Sequence, residues 1–508
     1  MGKAYILAHD LGTSGDKATL YDSEGRLCAS SFGSYETFYL EGAGVEQDAN
    51  EWWRAVCETT QELLGKAGIR NTEIACITFS AQMMGALPVD KDGTPLRRSI
   101  IWADLRSGKQ VDYFASRMPM EEVYRITGHR LTSSYSATKL LWVRDNEPEI
   151  YKRTYKVLQA KDFIVQKLTG AFVTDYSDAC GTNLFDILKR RWSKEILASI
   201  DLPEGILPDA HASTDIVGHV TEEAARATGL AAGTPVVIGG GDGSCAATGA
   251  GAVEPGLTYN VIGSSSWIAM ATEEPIFDPK MQTFNWVHLD EKLYSPCGTM
   301  QAAGYSFSWL KETLCAYESD LAKRTGTNPY DLIEAEVEKS EAGSRNLLFL
   351  PYLLGERSPR WNPQAKGAFV GLTISHTKGD VYRSVIEGVS FNLKVILDTF
   401  NQMLPIDEVI VIGGAARSKV WLRILSDIWQ KPVLRPRYLE EATSLGAAVC
   451  GGVATGIFPD FRVARKFNDV VETIKPNPER RKRYEELYAI FNETYDALVP
   501  VYERLSHL

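Results

Sequence analysis

Four glycine-rich turns carry the residues whose types and spacing suit chemistry. The first joins two predicted strands in AYILAHDLGTSGDKATLYD (residues 4–22) and places Asp10 directly before Gly12, Thr13 and Ser14. Backbone N–H groups and hydroxyls in such a turn can bind phosphate oxygens, and a carboxylate beside them can bind hydrated Mg²⁺. An ordinary hairpin with a solvated aspartate explains the same residues. This stretch alone therefore leaves both interpretations open.

The second turn is GGGDGS, residues 239–244. Its glycines let the backbone approach a ligand closely. Asp242 stands where a helix is predicted to begin, so its carboxylate can act either as a general base or as an ordinary helix cap. Taken alone, the cap is the simpler explanation.

Two further turns complete the set. GSS at residues 263–265 lies in a second predicted hairpin, residues 256–272, and is either another phosphate contact or a plain turn. GGAAR at residues 413–417 follows a predicted strand and begins a helix. Its bare glycines can admit a flat adenine or a ribose, or they allow close packing of helix on strand.

The elements that must position these turns are strands alternating with helices, which favours an α/β fold. The two hairpins are similar and lie about 250 residues apart, which indicates two related domains. Residues 203–235 have polar turns around a short helix and are the candidate inter-domain region. A stripe of aromatic and leucine residues after Asn477 predicts a C-terminal packing helix.

The composition of the whole chain excludes several classes of protein. Its 508 residues predict roughly two to four domains, and its net charge of −11 argues against a nucleic-acid scaffold. The eight cysteines contain no CxxC pair, which suits thiols in a reducing cytosol. No apolar stretch is long enough to span a bilayer, so we expect a cytoplasmic protein. The sequence lacks GxxxxGK[ST], which excludes a P-loop enzyme, and it has no GxGxxG between strand and helix, so nothing supports a dinucleotide-binding fold.

The order of the four turns resembles the FGGY family of carbohydrate kinases, with the xylulokinase branch the most similar. Further stretches that look like blocks of this family run along nearly the whole chain. They are VEQDANEWW (45–53), SAQMMG (80–85), IIWADLRS (100–107), SATKLLWV (136–143), FLPYLLGERSP (349–359), AKGAFVGLT (365–373), IEGVSFNL (386–393) and EATSLGAAV (441–449).

This resemblance implies an α/β protein with two ribonuclease-H-like domains, as in the actin-like ATPase superfamily, around a deep cleft. It implies ATP-dependent phosphorylation of a sugar hydroxyl. We expect a sugar-binding N-terminal domain at residues 1–232, an ATP-binding C-terminal domain at 233–470, and a helix at 471–508 that packs back on the N-terminal domain. The expected ligands are a sugar, ATP and Mg²⁺, with no nucleic acid and no membrane, and a homodimer is compatible with this picture.

The resemblance also implies roles for individual residues. Asp242 is the expected base that accepts the proton of the sugar hydroxyl, and Asp10 with Asp242 is expected to hold hydrated Mg²⁺. The expected sugar contacts are Gln82, Met83, Met84, Trp102, Asp104 and Asp242. The expected ATP contacts are Gly12, Thr13, Ser14, Gly263, Ser264, Ser265, Gly413, Gly414 and Arg417.

Three positions depart from the xylulokinase pattern. Met84 stands where that branch has His, Ala103 where it has Asn, and Gly243 where it has Asn. Each change removes a hydrogen-bonding side chain, and sites built to hold sugar hydroxyls lose strongly when a polar partner is missing. We therefore expect another ketose, or a related sugar or polyol, to be a better substrate than D-xylulose.

Two other classes of function remain as alternatives. One is a non-catalytic sugar or nucleotide sensor on the same fold, and the other is an actin- or chaperone-like ATPase with protein partners. Asp10 and Asp242 favour a kinase over a sensor, because a sensor needs no base. Gln82 and Trp102, in carbohydrate-type stretches, argue against the ATPase.

Overall fold

The computed structural model describes residues 4–508 as two compact units, each built from several chain segments. Unit 1 consists of the described residues up to Pro255, with Ala271–Pro296 and Glu441–Asn468; unit 2 consists of Gly256–Met270, Cys297–Glu440 and Asp469–Leu508. The units therefore differ from the contiguous domains expected from the sequence.

The strands are short, as in most α/β proteins. In chain order they are β1 (Tyr5–Leu11), β2 (Gly15–Asp22), β3 (Leu27–Ser34), β4 (Phe38–Leu40), β5 (Gly44–Gln47), β6 (Ile74–Ala81), β7 (Leu87–Val89), β8 (Ser99–Ile100), β9 (Lys156–Leu158), β10 (Val173–Asp175), β11 (Phe185–Asp186), β12 (Arg191–Trp192), β13 (Asp209–His211), β14 (Ile216–His219), β15 (Pro235–Val237), β16 (Gly240–Gly241), β17 (Thr258–Ile262), β18 (Ser266–Met270), β19 (Phe284–Val287), β20 (Tyr294–Met300), β21 (Leu348–Leu350), β22 (Ala368–Val370), β23 (Val409–Ile412), β24 (Val433–Pro436) and β25 (Val470–Ile474).

The α-helices alternate with these strands. They are α1 (Ala49–Ala67), α2 (Gly108–Arg117), α3 (Met120–Thr127), α4 (Ser136–Asn146), α5 (Pro148–Arg153), α6 (Ala160–Thr169), α7 (Tyr176–Cys180), α8 (Lys194–Ser199), α9 (Glu222–Thr228), α10 (Asp242–Ala250), α11 (Gly304–Leu314), α12 (Ala316–Thr325), α13 (Pro329–Val337), α14 (Lys378–Asn401), α15 (Lys419–Trp429), α16 (Ala442–Ala454), α17 (Val463–Phe467) and α18 (Arg481–Ser506). Within residues 4–508, no helix combines the length and the apolar character needed to cross a bilayer.

The central sheet of unit 1 has the strand order β14-β15-β6-β1-β2-β3, and β16 pairs with the end of β6. Strands β1, β2 and β3 are antiparallel, whereas β6 runs parallel to β1 and β15 parallel to β6. Helix α1 packs on β2 and β3, and α16 packs on β1 and β6. Since strands near the middle of such a sheet are covered on both faces, β1 reads as a nearly continuous apolar run.

Unit 2 repeats this order when the strands are read from the opposite end: β20-β18-β17-β23-β24-β25 corresponds to β3-β2-β1-β6-β15-β14. Here β17, β18 and β20 are antiparallel, β23 is parallel to β17, and β24 is parallel to β23. In both units three antiparallel strands are followed by two parallel strands, which is the ribonuclease-H-like arrangement, and by an antiparallel edge strand, β14 in unit 1 and β25 in unit 2. The predicted relation between the two hairpins is therefore confirmed, with β17–β18 in the place of β1–β2.

Two expectations about the ends of the domains are corrected. Residues 203–235 contribute α9 and strands β13 and β14 to unit 1 and end at the first residue of β15, so they are not an inter-domain segment. The C-terminal helix α18 packs within unit 2, on α14, α15 and β21, and not on the N-terminal domain. Its Tyr484 hydroxyl donates to Glu387 Oε1 of α14 at 2.8 Å, so a polar contact as well as apolar packing fixes this helix.

Candidate active site

Three adjacent strands of unit 1 bring Asp10 and Asp242 to one edge of the sheet. Asp10 of β1 lies in register with Ser80 of β6, and Ser80 lies in register with Gly240 of β16. All three strands are parallel, so their carboxyl ends meet at the same edge, where ligands of α/β sheets bind. Ser80 Oγ donates to Asp10 Oδ1 at 2.8 Å and holds that carboxylate in place.

The electrostatics of this edge suit proton transfer. Burial and, to a smaller extent, the neighbouring Asp10 carboxylate together raise the pKa of Asp242 to about 7, against the opposing effect of a hydrogen bond from the Gly243 backbone. Burial also raises the pKa of Asp10, against the opposing effects of Ser80 and Lys17. A carboxyl group with a pKa near neutrality is well matched to general base catalysis.

Capping does not account for Asp242. The N-cap of α10 is Gly241, no side chain caps this helix, and Asp242 occupies its first turn. An anion is favourable at that position because the helix macrodipole is positive there. Asp242 therefore places a favourable charge in the first turn of α10 without capping the helix.

Close contacts explain most of the glycines around Asp242. Gly239 has a φ of +67°, and a Cβ there would lie 2.0 Å from the Phe79 carbonyl oxygen. A Cβ on Gly241 would lie 2.4 Å from Sδ of Met83. Gly243 differs, because a Cβ there would meet nothing within 4 Å. Packing therefore requires the glycines before the aspartate, while Gly243 leaves open space beside it.

Side chains from elsewhere in unit 1 hold the turn after Asp10 by hydrogen bonds and leave the hydroxyl hydrogen of Thr13 available. Trp102 Nε1 donates to Thr13 Oγ1 at 2.9 Å, and Gln47 Nε2 donates to the Thr13 carbonyl at 2.7 Å. The Tyr35 hydroxyl donates to the carbonyl of Gly12. Since Thr13 Oγ1 accepts the indole proton, its own hydrogen can be donated to another group, such as a phosphate oxygen.

The predicted sugar contacts at residues 82–84 follow β6 directly. Gln82 Nε2 donates to Gln47 Oε1 at 2.7 Å, while Gln82 Oε1 is buried without a hydrogen-bond partner in the protein. Met83 is buried, and Met84 is partly exposed with a φ of +65°. A positive φ is rare for such a side chain and indicates that the surrounding structure holds the loop in this conformation.

Asp104 has a different task from the sugar contact expected of it. Its side chain is fully buried, and its carboxylate accepts from the Val45 N–H at 2.6 Å and from Arg106 Nε at 2.8 Å. The Arg106 N–H donates to its second oxygen at 3.0 Å. With both oxygens engaged inside the protein, Asp104 fixes the loop that follows Trp102.

Unit 2 contains a pocket of about 530 Å³ at the turns predicted to bind ATP. Gly263, Ser264, Gly414 and Arg417 line it together with aromatic and polar side chains, which are Phe307, Tyr330, Trp421, Ser308, Asn328, Asp331, Glu334, Ser418 and Glu440. Its size and mixed lining are typical of a small-molecule site. Arg417 stands among the lining side chains and pairs with Glu440 at 2.8 Å.

Two residues predicted as ATP contacts are absent from this lining and have structural tasks. Gly413 has a φ of +90°, and a Cβ there would lie 2.7 Å from the Ile262 carbonyl oxygen, so it permits close packing of β23 against β17. The Ser265 carbonyl accepts the Gly263 N–H at 2.9 Å and closes the hairpin turn.

Several residues of these sites were missed from the sequence. Ser80 and Gln47 lie in the stretches SAQMMG and VEQDANEWW, yet nothing local marks the hydroxyl or the amide as a partner of Asp10 or Thr13. The register of β1 with β6 is the observation that would have identified Ser80. Tyr330 and Trp421 look in the sequence like ordinary apolar positions of helices.

Comparison with known proteins decides the family. Residues 5–249 match the N-terminal domain, and residues 258–455 the C-terminal domain, of the FGGY family of carbohydrate kinases. The chain belongs to this family. Together the two matches cover most of the chain, so the FGGY assignment applies to both ribonuclease-H-like units.

Individual FGGY relatives agree with this assignment along nearly the whole chain. A xylulose kinase of Staphylococcus epidermidis is 32% identical over 504 residues, covering 97% of each protein. A gluconokinase of Bacillus licheniformis is 30% identical, covering 99% of this chain and 98% of the relative. The crystal structure of a gluconate kinase from Lactobacillus acidophilus superimposes with a TM-score of 0.92 at 28% identity, covering 99% of this chain and all of that one.

The chain is therefore an FGGY kinase that phosphorylates a sugar hydroxyl with ATP. Neither the sensor nor the actin- or chaperone-like ATPase receives support from these relatives. The relatives described above are named for two different acceptors, xylulose and gluconate, and these names apply to those proteins. The family alone thus establishes the reaction class.

Proposed function

We propose that Asp242 is the general base of this kinase. The observation that carries the proposal is the placement of two carboxylates, Asp10 and Asp242, at one sheet edge, with the pKa of Asp242 raised to about 7. As the sugar oxygen attacks the γ-phosphorus of ATP, its proton passes to the Asp242 carboxylate. The bond from γ-phosphorus to the bridging oxygen breaks, and ADP leaves. Positioning and charge stabilisation supply most of the rate enhancement in such reactions.

The same two carboxylates fit a hydrated Mg²⁺. Within residues 4–508 no cluster of three or more His, Cys, Asp or Glu side chains has the arrangement of a metal site. Mg²⁺ does not need one, because it commonly keeps several waters and binds one or two carboxylates plus substrate phosphates. Burial and then the Asp10 carboxylate raise the pKa of Asp242, and a bound cation would relieve the repulsion between the two carboxylates. When bound, the ion would neutralise charge on the phosphates.

We propose that the pocket of unit 2 takes the adenosine part of ATP. Gly414 offers backbone without a side chain, since a Cβ there would meet nothing within 4 Å, and Tyr330 and Trp421 offer aromatic faces. In unit 1, the Thr13 hydroxyl and the N–H groups of its turn suit phosphate oxygens. Ser14, which is exposed, extends this turn.

For the acceptor we propose a ketose, or a related sugar or polyol, other than D-xylulose. Three features support this: an apolar Met84 in the loop after β6, no amide at Ala103, and open space at Gly243. A ligand with one fewer hydroxyl, or with a differently placed group, would match such a lining.

The test is a panel of ketoses, aldoses, polyols and sugar acids, assayed for sugar-dependent ADP release. We expect kcat/KM for the best compound to exceed that for D-xylulose at least tenfold, a margin of ~1.4 kcal/mol. If D-xylulose heads the ranking, the proposal for the acceptor is wrong. If no compound stimulates ADP release, the assignment of Asp242 as base also loses its basis.

We further propose that the enzyme works in the cytoplasm. No two of the eight cysteines are joined by a disulfide in residues 4–508, and six of the eight are buried. Thiols of this kind suit a reducing compartment. Fractionation of the source cells, with activity followed on the best sugar, tests this placement.

A further inference from the structure

A buried cluster of charges lies next to β16, the short strand directly before the proposed base. Nζ of Lys161 contacts Oδ1 of Asp162 at 2.7 Å, Oδ1 of Asp175 at 2.9 Å and Oδ2 of Asp178 at 2.9 Å. None of the four residues is more than 1% exposed. Burial alone would lower the pKa of Lys161, but the three carboxylates raise it well above its ordinary value. Burial also raises the pKa of Asp178 well above its usual range.

Such a cluster is better suited to fixing geometry than to adding stability. The cost of removing charges from water offsets much of their attraction, so buried ion pairs contribute little net free energy of folding. Once paired, however, they restrict the side chains to one arrangement. Within this cluster Asp175 contacts Lys161 through Oδ1, and its Oδ2 accepts the hydroxyls of Ser177 and Ser213.

The second oxygen of Asp175 leads to the backbone next to Asp242. The Ser177 hydroxyl donates to Asp175 Oδ2 at 2.5 Å, and the same Ser177 Oγ accepts the N–H of Gly241 at 2.9 Å. The amide fixes the direction of these bonds: a backbone N–H can only donate, so Ser177 Oγ accepts from Gly241 and its hydroxyl hydrogen is left for the Asp175 carboxylate.

The approach of Ser177 to this strand is close. A Cβ on Gly240 would lie 2.8 Å from Ser177 Oγ, so the glycine is needed for the hydroxyl to reach the strand. Ser177 is fully buried, and so is its partner Asp175. The capping of α7 by Asp175 accounts for the contacts with the Ser177 and Asp178 N–H groups, but it does not account for the bond to Gly241.

We propose that Ser177 is a positioning residue for the catalytic base. Its hydroxyl, oriented by Asp175 and Lys161, holds the Gly241 amide and thereby fixes the first turn of α10, where Asp242 lies. This inference rests on the proposed function, in which Asp242 accepts the proton of the sugar hydroxyl. A base displaced by a fraction of an ångström loses rate in the chemical step, because proton transfer and attack depend on alignment.

The protein offers a matched control for this role. Ser213 Oγ also donates to Asp175 Oδ2, at 2.8 Å, and Ser213 is 2% exposed. Its hydroxyl makes no bond to Gly241, and its carbonyl, which accepts the Gly239 N–H at 3.1 Å, survives substitution by alanine. Ser177→Ala and Ser213→Ala thus each remove one hydrogen bond to the same carboxylate oxygen, but only Ser177→Ala leaves the Gly241 amide without its acceptor.

The experiment compares kcat and KM of the two variants with the parent, using the best sugar of the panel. We expect Ser177→Ala to lower kcat roughly tenfold or more with KM for the sugar within about threefold, and Ser213→Ala to keep kcat within about threefold. Equal losses of kcat in the two variants, or a loss confined to KM, would overturn the proposal. Melting temperatures of both variants show whether a loss reflects unfolding.

Two further measurements keep the test decisive. Asp242→Asn is assayed in parallel: if it retains activity, the proposed function fails, whereas if it is inactive while Ser177→Ala matches the parent, only the positioning role fails. Hydrogen exchange of the parent enzyme over residues 239–244 needs no variant to fold. We expect the Gly241 amide to be strongly protected, and exchange at the rate of an open amide would overturn the inference.

Discussion

The raised pKa of Asp242 leads to a quantitative pH dependence. Burial and the Asp10 carboxylate move this pKa from 3.8 to about 7. A base must be deprotonated to act, so kcat/KM should rise with pH and level off above about 7. At pH 5 the ionised fraction would be on the order of 1%, giving a roughly 100-fold lower kcat/KM than at pH 8. An aspartate with a pKa of 3.8 would lose less than about tenfold over the same range.

The assay is initial-rate ADP release between pH 5 and 9, with kcat/KM taken for the Mg·ATP complex so that the profile reports Asp242 in the enzyme before the cation binds. Because ATP itself titrates in this range, the Asp10→Asn variant is measured in the same buffers as an internal reference. Removing the Asp10 charge should lower the pKa of Asp242 and move the acid limb of the profile to lower pH, whatever the absolute rate. A parent profile that stays flat down to pH 5, or identical limbs in both proteins, would refute the reasoning.

Three other predictions concern the metal, a buried lysine and the acceptor. Asp10→Ala should weaken the Mg²⁺ dependence and turnover more than sugar affinity, and an unchanged magnesium titration with normal turnover would make Asp10 an ordinary hairpin residue. Lys139 donates to the Met84 carbonyl at 2.7 Å, and burial lowers its pKa from 10.5 to about 7. Between these two pH values the lysine is protonated in the unfolded chain but largely neutral in the folded protein. The contribution of Lys139 to the free energy of unfolding therefore rises with pH across this window. Lys139→Met should remove this rise, as chemical denaturation at pH 7 and pH 9.5 would show, and equal slopes in parent and variant would contradict it. Combining Met84→His, Ala103→Asn and Gly243→Asn should move the preference toward D-xylulose on the sugar panel, and an unchanged ranking would count against these positions as determinants.

Much of the catalytic arrangement was accessible from the sequence, because it depends on local patterns. A polar turn between two apolar strands predicts the hairpin at Asp10, and the same pattern near residue 260 predicts its counterpart in unit 2. Glycines before an aspartate at a helix start predict a close backbone approach at Asp242. In each case the turn chemistry and the strand pattern lie within about twenty residues of each other.

What could not be predicted depends on contacts between distant parts of the chain. Asp104 looked like a ligand of the sugar because it follows Trp102, yet the Val45 N–H, 59 residues away, occupies its carboxylate. The hydroxyl of Ser177 meets the Gly241 amide across 64 residues. The segment Glu441–Asn468 belongs to unit 1 although it follows the turns of unit 2 that we propose bind ATP. Periodicity carries no information about such pairings.

The most direct test of the central claim is the Asp242→Asn variant. We predict that sugar-dependent ADP release falls by about 10²–10⁴-fold, the usual contribution of a general base, while ATP binding measured by calorimetry stays within about threefold of the parent. Asp92→Asn, which changes an exposed turn residue, is the matched control and should behave like the parent. Sugar phosphorylation by Asp242→Asn within tenfold of the parent would contradict the account and reduce Asp242 to a residue of the first turn of α10.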